Sequence, residues 1–432
     1  MSAAEPLSAE DFKASMAALG APTRVIVAVS GGPDSMALAR LAAQACENAL
    51  AVTVDHGLRA GARAEAEKAG EWCRAAGLDH RILTWEGEKP AAGVQAAARA
   101  ARYRLLASLA EAEGYGAILT AHTADDQAET VFMRLARGAG VAGLSGMEAR
   151  SLIAAGAGEP TLLLRPLLGF SRARIIATLK SLEQDFVEDP SNDDPGFERV
   201  RTRALLAALA EEGLLSAEAL TRTAERLRRA RERLEEDEND AFYAAGGAFS
   251  AHGVISLRSS EAGLPPGLMS RPSLLARLAR AVGGGDHPPA EEVAASAFDA
   301  LERGGAASLG GAIARRVRGR LLLYREPAAL LGRAGVPPLA PVKLPAGGRL
   351  LWDARFAISN ETGDAVSIAP FGEGEEARSA AEAEGLPASA LAAAPAVIEG
   401  DGGPYRLASR APGLKVASLA EERFFGRILR FA

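Results

Sequence analysis

The segment Val25–Ser35, with the sequence VIVAVSGGPDS, joins a run of apolar residues to a loop of serine, glycine and aspartate. The apolar run Val25–Val29 consists of β-branched and small residues, which favour a buried strand. Proline is common at the first position of a helix, and a helical pattern of apolar residues runs from Pro33 to Cys46. The segment therefore predicts a strand that passes through a tight loop directly into a helix, the beginning of an α/β fold.

The loop between this strand and this helix has the residue types that bind phosphate groups. Its glycines let the backbone turn tightly and approach a ligand, and the amino end of the helix offers unpaired N–H groups to an anion. Asp34 would repel a bare phosphate, so its presence indicates a divalent cation, for which we expect Mg²⁺. The same residue types also form simple turns and helix caps. The complete pattern after a strand favours a pyrophosphate site formed by Ser30, Gly31, Gly32, Pro33, Asp34 and Ser35.

Strands and helices alternate through the rest of the first half of the chain. Such alternation is typical of a mostly parallel, doubly wound sheet, in which ligands bind beyond the carboxyl ends of the strands. The predicted strands are Val25–Val29, Leu50–Asp55, Arg81–Thr84, Ala117–Ala121 and Thr161–Leu164. The predicted helices are Pro33–Cys46, Ala62–Ala76, Val94–Glu113, about Asp126–Arg137, and one from the cap Ser171 to about Leu182.

Polar residues follow two of these strands. Asp55 and His56 come at the end of the second strand, where the adenosine of a nucleotide would lie. An ordinary turn explains His56 equally well. His122 follows the fourth strand, and Asp126 lies in the first turn of the next helix, where its carboxylate can interact favourably with the helix dipole, hold Mg²⁺ or orient the histidine.

Arginines on two helices are candidates for phosphate contacts. Arg102 lies within about one turn of Arg99 and Tyr103 on the helix Val94–Glu113. Arg199 and Arg203 are four residues apart on one helix face and could clamp either RNA phosphate or the nucleotide. Isolated arginines more often form a solvated helix face, so these assignments depend on the surrounding segments.

Together these segments resemble the N-type ATP pyrophosphatases, and most closely the tRNA(Ile)-lysidine synthase family. The resemblance extends over about Arg24–Leu206. Two positions depart from the family pattern, because Thr123 stands where many relatives have a second histidine and Val200 replaces the usual asparagine. The matching segments are SGGPDS (30–35), VDHGLR (54–59), ARAARY (98–103), HTADDQAET (122–130), and EDPSN (188–192) followed by FERVRTR (197–203).

The resemblance implies an ATP-dependent ligation of L-lysine to C2 of the wobble cytidine in tRNA(Ile) with a CAU anticodon. In the implied reaction the cytidine is first adenylated, pyrophosphate leaves, and the lysine amine then displaces AMP. By the same resemblance, Ser30–Ser35, Asp55 and His56 bind ATP, and Arg199 and Arg203 bind tRNA. The implied catalytic residues are Asp34, which also holds Mg²⁺, and Arg102, His122 and Asp126.

The overall composition is that of a globular protein. Among 432 residues, 48% are hydrophobic and 24% are charged, which excludes a disordered chain, and the net charge of −6 disfavours a uniformly basic nucleic-acid-binding protein. No stretch of about 20 apolar residues and no apolar leader is present, so we expect a cytoplasmic protein without a membrane span. The sequence leaves a homodimer open.

We expect three parts: a catalytic domain (1–215), a mainly helical accessory region (216–300), and a small α+β region (301–432) that is a candidate for tRNA binding. The arginines between Arg222 and Arg233, and a basic tail that includes Lys415 and Arg423, could contact phosphate. Glutamates interleaved with the first group slightly favour a salt-bridged, solvated helix face instead.

Two other functions are weaker alternatives. A related tRNA-thiolating enzyme commonly uses paired cysteines, whereas Cys46 and Cys73 are far apart in the sequence. A non-catalytic nucleotide-binding or RNA-binding protein could have the same fold. The combined presence of Asp34, His122 and Asp126 speaks against that second alternative.

Overall fold

A computed structural model describes residues 4–58, 61–87, 89–90, 93–154, 161–188, 196–260, 263–335, 337–398, 405–426 and 429–431. The chain forms two compact units: residues 1–155 and 159–233 make up nearly all of the first, and residues 234–431 nearly all of the second. In the part of the chain that is described, no helix is long and apolar enough to cross a membrane.

The first unit contains a sheet surrounded by helices. Its strands are β1 (Arg24–Ala28), β2 (Asn48–Asp55), β3 (Asp79–Thr84), β4 (Ala117–Leu119), β5 (Arg150–Ala154) and β6 (Thr161–Leu164). Its helices are α1 (Ala9–Ala18), α2 (Pro33–Ala45), α3 (Ala62–Ala75), α4 (Val94–Glu113), α5 (Ala124–Ala136), α6 (Val141–Leu144), α7 (Arg172–Ser181), α8 (Glu198–Glu211) and α9 (Ala217–Ala244), the last of which continues into the second unit.

These strands lie in the order β5-β6-β4-β1-β2-β3, and all neighbouring pairs are parallel except β5 with β6. Alternate residues of β1 enter two different cores, as the period of a strand requires. Val25 and Val27 pack with α1, α2, α3 and α7, whereas Ile26 packs with α4. Helices therefore cover both faces, and the predicted doubly wound α/β fold is confirmed.

The pairing of β1 determines where a ligand can bind. β1 lies between β2 and β4, so the chain leaves β1 in one direction across the sheet and later returns on the other side. Strand order reverses at this point, and the loops after β1 and β4 leave the same edge of the sheet side by side. The loop that begins at Val29 therefore lies next to the segment that begins at Thr120.

Two elements of the first unit have weak signals in the sequence. Helix α1 begins with a capping box of Ser8 and Asp11 and buries Phe12 and Met16. Most of the residues next to these two in the sequence are polar or small, so the hydrophobic pattern is weak. Strand β5 is an antiparallel neighbour of β6. Its residues include Arg150 and Ser151, so its hydrophobic pattern is too short to identify a strand.

The second unit contains three small sheets, in the strand orders β7-β8-β11-β10-β9, β12-β15-β16-β17 and β13-β14-β18. Its helices are α10 (Pro266–Met269), α11 (Pro272–Gly283), α12 (Glu291–Glu302), α13 (Ala328–Leu331), α14 (Glu375–Ala383), α15 (Ala388–Ala392) and α16 (Ala420–Phe424). Its strands are β7 (Ala248–Phe249), β8 (Ile255–Arg258), β9 (Ala306–Leu309), β10 (Ala312–Val317), β11 (Arg320–Arg325), β12 (Val342–Leu344), β13 (Arg349–Trp352), β14 (Phe356–Asn360), β15 (Val366–Pro370), β16 (Pro395–Ile398), β17 (Tyr405–Leu407), β18 (Leu414–Ser418) and β19 (Leu429–Phe431).

The two units differ from the three-part division expected from the sequence. The boundary between them lies at 233/234, inside α9, rather than at 215/216. Position 300/301 lies within α12, and the first of the three small sheets joins strands from both sides of it. The helical region and the α+β region therefore share one compact unit.

Arg423, which the sequence places in a basic tail, is buried within the second unit. Its guanidinium donates to the backbone oxygens of Ala281, Ala354 and Arg280 at 3.2, 3.2 and 2.9 Å. Only 1% of the residue is exposed. The expectation of a phosphate contact was therefore wrong for Arg423, because these carbonyls occupy its donors.

Gly31 offers a test of the loop that follows β1. Its φ is +88°, and a β-carbon there would lie 3.3 Å from Cγ2 of Val187. We therefore expect Gly31→Ala to lower the free energy of unfolding by about 1–3 kcal/mol in urea titrations. Gly32 is the matched control, because its φ is −71° and its β-carbon would have only ordinary contact with Ser30. Equal losses in Gly31→Ala and Gly32→Ala would contradict the strain at Gly31.

Candidate active site

The loop after β1 is held by its own serines. The Ser35 hydroxyl accepts from the backbone N–H of Ser30 at 3.1 Å and donates to the backbone oxygen of Gly32 at 2.9 Å. The two serine hydroxyls lie 3.2 Å apart. These contacts fold the loop over the amino end of α2.

The first turn of α2 is open to an anion. Gly32 is the N-cap and supplies no side-chain hydrogen bond, and Pro33 follows it as the first helical residue. Val187 donates its N–H to the backbone oxygen of Gly31 at 2.9 Å and so braces the loop from outside. An uncapped helix start directly after two glycines has the geometry of a phosphate-binding loop, as the sequence predicts.

Asp34 lies in this first turn with a carboxylate oxygen that lacks a hydrogen-bond partner. Burial raises the pKa of Asp34 to about 6, and the nearby Arg172 opposes that rise. The buried Oδ1 accepts no hydrogen bond, and the closest approach of Arg172 Nε to it is 4.0 Å. The negative charges of Asp126 and Asp125 raise the pKa further. A buried acidic oxygen without a donor, beside a phosphate-binding loop, is suited to a cation.

The surrounding residues fit Mg²⁺ as a metal held jointly by protein and phosphate. No group of three or more potential His, Cys, Asp or Glu ligands occurs among the residues that are described. Mg²⁺ usually takes one or two carboxylates and completes its shell with substrate phosphates and water. Asp34 can supply such a ligand, so the sequence-based assignment of Mg²⁺ to Asp34 remains a proposal that the chemistry of this site supports.

His122 follows β4 and is neutral at physiological pH. Burial lowers its pKa to about 3, the positive charge of Arg165 lowers it further, and Asp126 opposes both effects. Its Nδ1 lies 3.1 Å from the Thr120 hydroxyl. The neutral ring has one donor and one acceptor nitrogen, so His122 can orient a substrate atom or exchange a proton with a weakly basic group.

Asp126 is engaged in the cap of α5. Its Oδ2 accepts from the backbone N–H of Thr123 at 2.8 Å and from the Thr123 hydroxyl at 3.0 Å. Asp126 therefore stabilises the start of α5 as part of a capping box, a role that the sequence analysis did not include. The cap uses Oδ2 alone, so the proposed catalytic role can act through Oδ1 as well as through the charge, which reaches both Asp34 and His122.

Asp55, His56 and Arg102 lie at the neighbouring part of the same sheet edge. Asp55 accepts from the backbone N–H of Gly57 at 2.9 Å, which orders the turn after β2. His56 Nε2 lies 3.4 Å from Arg102 Nη2, and burial lowers the pKa of His56 to about 4. The Trp85 ring lies edge-on to the His56 ring with centroids 6.0 Å apart. The structure thus brings together two residues that the sequence assigned separately to ATP binding and catalysis.

Arg203 forms an ion pair with a buried carboxylate. Its Nε donates to Glu129 Oε1 at 2.8 Å, and the Glu129 side chain is 4% exposed. The charge of Arg203 also reaches Asp34, and that of Arg199 reaches His122. The charges of both arginines therefore act on residues of the phosphate-binding edge, and their assignment to tRNA remains a proposal. The 189–192 part of the resembling segment before them lies outside the described residues.

Three residues of this site were missed by sequence reasoning. Asp125 accepts the backbone N–H of Arg172 at 2.7 Å and so ties the start of α7 to the start of α5. Arg172 in turn faces Asp34, and Val187 braces Gly31. Asp125 has a signal in the paired aspartates of the α5 start, but Arg172 and Val187 come from distant segments without a distinctive pattern.

The pKa of Asp34 leads to a stability prediction. Because its pKa is higher in the folded protein than the ordinary value of 3.8, its contribution is most favourable below about pH 4 and is lost as pH rises through about 6. Without divalent cations, wild type should therefore lose about 2 kcal/mol relative to Asp34→Asn between pH 4 and pH 7. Urea unfolding at both pH values measures this difference, and a constant difference would rule out the buried carboxylate.

The pair of Arg203 and Glu129 leads to a second prediction. Arg203→Gln should lower the free energy of unfolding by about 2–3 kcal/mol at pH 8, because it leaves a buried carboxylate unpaired. The loss should shrink at pH 4, since burial raises the pKa of Glu129 and removal of the arginine lets it take up a proton. Arg199→Gln is the control on the same helix, and a loss as large as that of Arg203→Gln would contradict this pairing.

Comparison with known proteins gives consistent results. The PP-loop domain family matches residues 7–209. The tRNA(Ile)-lysidine synthase of Bradyrhizobium diazoefficiens is 41% identical over 80% of this chain and 97% of that protein, and that of Methylobacterium nodulans is 41% identical over 85% and 97%. That of another Bradyrhizobium species is 49% identical over 53% of this chain and 64% of that protein. With these similarities and the PP-loop at the carboxyl edge of its sheet, the chain belongs to the tRNA(Ile)-lysidine synthase family.

Proposed function

We propose that this protein uses ATP to ligate L-lysine to C2 of the wobble cytidine in tRNA(Ile) with a CAU anticodon. The observation that carries the proposal is the meeting of two segments at one sheet edge. The open start of α2, with Asp34, lies beside the segment after β4, with His122. Membership of the tRNA(Ile)-lysidine synthase family supports tRNA(Ile) as a substrate, and we propose L-lysine as the amine that is joined to it. We propose that the reaction takes place in the cytoplasm, where ATP and tRNA are both available.

In the first step, the cytosine C2 oxygen attacks the α-phosphorus of ATP, and pyrophosphate leaves. The N–H groups at the open start of α2 hold the departing pyrophosphate, and the Ser30 and Ser35 hydroxyls line the same loop. Arg172 places positive charge near Asp34 at the mouth of this loop. When bound at Asp34, Mg²⁺ would supply charge neutralisation for the phosphate oxygens.

In the second step, the ε-amine of lysine attacks C2 and AMP leaves. The free amine has a pKa of about 10.4, so it must lose a proton before it can attack. His122 is a poor acceptor for that proton, because burial holds the pKa of its ring well below the usual range. We therefore assign His122 to hydrogen bonding with the base or the phosphate, in its neutral form, and leave proton removal to a stronger base or to desolvation of the amine.

The cysteines argue against sulfur transfer on this fold. Burial raises the pKa of the Cys73 thiol in α3 to about 11, and it also raises the pKa of Cys46 at the end of α2. Sulfur-handling cysteines need the thiolate form, which these surroundings disfavour.

The activity assay combines the protein with ATP, L-lysine, Mg²⁺ and a tRNA(Ile) transcript with a CAU anticodon. We expect AMP release that depends on this tRNA, together with a mass gain on its anticodon cytidine that corresponds to lysine. AMP release without lysine incorporation would keep the adenylating class but remove lysine as the acceptor substrate. The absence of tRNA-stimulated turnover would remove the proposed function altogether.

The role of Asp34 has a sharper test. Asp34→Ala should reduce AMP release at least 10²-fold while tRNA binding survives, because the carboxylate faces the phosphates rather than the RNA. Asp79→Ala is the matched control, since this exposed carboxylate lies at the amino end of β3, away from the site. Retained turnover in Asp34→Ala would remove Asp34 from the catalytic machinery.

A further inference from the structure

Helix α9 has one face that is fixed against the first unit. Leu220 and Ala224 are 6% and 1% exposed and pack with Ala128 and Val131 of α5. Farther along, Arg231 donates to the Glu148 carboxylate at 2.6 Å. The inward positions of α9 are therefore 220, 224 and 231, which share one side of a helix with 3.6 residues per turn.

A stripe of arginines occupies the opposite face. We call Arg222, Arg226, Arg229 and Arg233 the arginine stripe. Three of them come two positions after an inward residue, a rotation of about 200° around the helix. All four are exposed. The interleaved pattern of the sequence therefore separates in space into a packed face and a cationic face.

The acidic residues of α9 neutralise this stripe only in part. Arg229 pairs with Glu225 at 2.5 Å, and Glu232 is engaged by Arg228 at 2.7 Å, outside the stripe. Over the described residues, the structure gives no ion pair to the other three members of the stripe, Arg222, Arg226 and Arg233. Exposed guanidinium groups in a row, on a chain of net charge −6, form a local site for polyanions.

The amino-terminal part of α9 lies beside the candidate active site, and the stripe occupies the opposite face of this helix. Thr221, next to Arg222, donates its hydroxyl to the backbone oxygen of Ala124 at 3.4 Å. Ala124 is the first residue of α5, directly before Asp125 and Asp126. From Arg222 to Arg233 the helix rises about 16 Å, so the stripe leads away from the site along a rigid element.

We propose that the arginine stripe binds the phosphodiester backbone of the substrate tRNA and positions the anticodon arm for reaction at the phosphate-binding loop. This inference rests on the proposed function, since it takes tRNA as the polyanion. A nucleic-acid backbone has the regular spacing of negative charges that a row of exposed arginines can follow, without any contact to bases.

The test compares three variants of the full-length protein. The first, Arg222→Gln/Arg226→Gln/Arg233→Gln, removes the unpaired charges and keeps good helix formers on an exposed face. The second, Arg63→Gln/Lys68→Gln/Lys180→Gln, removes the same charge from exposed positions on α3 and α7. The third variant replaces Arg222, Arg226 and Arg233 by lysine, which retains the positive charge. Circular dichroism and urea unfolding verify the fold of each.

Binding of the tRNA(Ile) transcript is measured over a range of salt concentrations, together with steady-state kinetics. The stripe variant should bind about tenfold or more weakly, and its slope of log K against log salt should fall by about 2–3. KM for tRNA should rise, whereas KM for ATP should stay unchanged. The lysine variant should retain most of the binding.

Two results would overturn the proposal: binding by the stripe variant equal to wild type, or an equal loss in the charge-matched control. Either one leaves the proposed function intact if wild type still transfers lysine. If instead wild type neither binds the transcript nor modifies it, the proposed function fails, and the stripe proposal fails with it.

Discussion

The parallel pairing of β1 with β4 is the constraint on which the site depends. Val25 pairs with Ala117 and Val27 with Leu119, so both strands end at the same level of the sheet. About 90 residues of chain separate the two loops, yet the hydrogen-bonded ladder brings them side by side. The buried valines and isoleucine of β1 hold this register, because a slip of one residue would exchange its two cores.

Partial burial at this edge of the sheet shifts the pKa values of the groups that meet there. The same burial raises the pKa of Asp34 and lowers those of His122 and His56, since each charged form loses hydration. Arginines then supply the positive charge of the site, because they stay protonated where histidines do not. A polyphosphate substrate thus meets fixed cations and neutral imidazoles, and Asp34 becomes fully ionised only near neutral pH or with a cation beside it.

How much the sequence predicts depends on whether a signal is local. The strand, loop and helix of Val25–Cys46 were predictable, because β-branched residues, glycines and proline each have a local conformational preference. The partner of a charged side chain is not local. The sequence predicts that Arg203 contacts phosphate but cannot show that its Nε also pairs with Glu129. It likewise places Arg423 in a basic tail, although backbone carbonyls of the second unit enclose this side chain. The sequence places Asp126 in the first turn of α5, but its hydrogen bonds to Thr123 are visible only in the structure.

In helix α9, the rotation of the helix about its axis decides between two interpretations that the composition does not separate: a salt-bridged, solvated face and a cationic row. Its sequence mixes arginine and glutamate in nearly equal measure, so counting charges favours a solvated, salt-bridged face. Packing of Leu220 and Ala224 on α5 fixes the rotation of the helix. Once the rotation is fixed, the pairs Arg228–Glu232 and Arg229–Glu225 use two acids, and the remaining outward arginines form a charged row of their own. An acidic protein can therefore bind a polyanion, because exposed charges farther apart than the Debye length of about 10 Å are largely screened from each other. Phosphates next to the arginine row interact mainly with the row and only weakly with distant acidic residues.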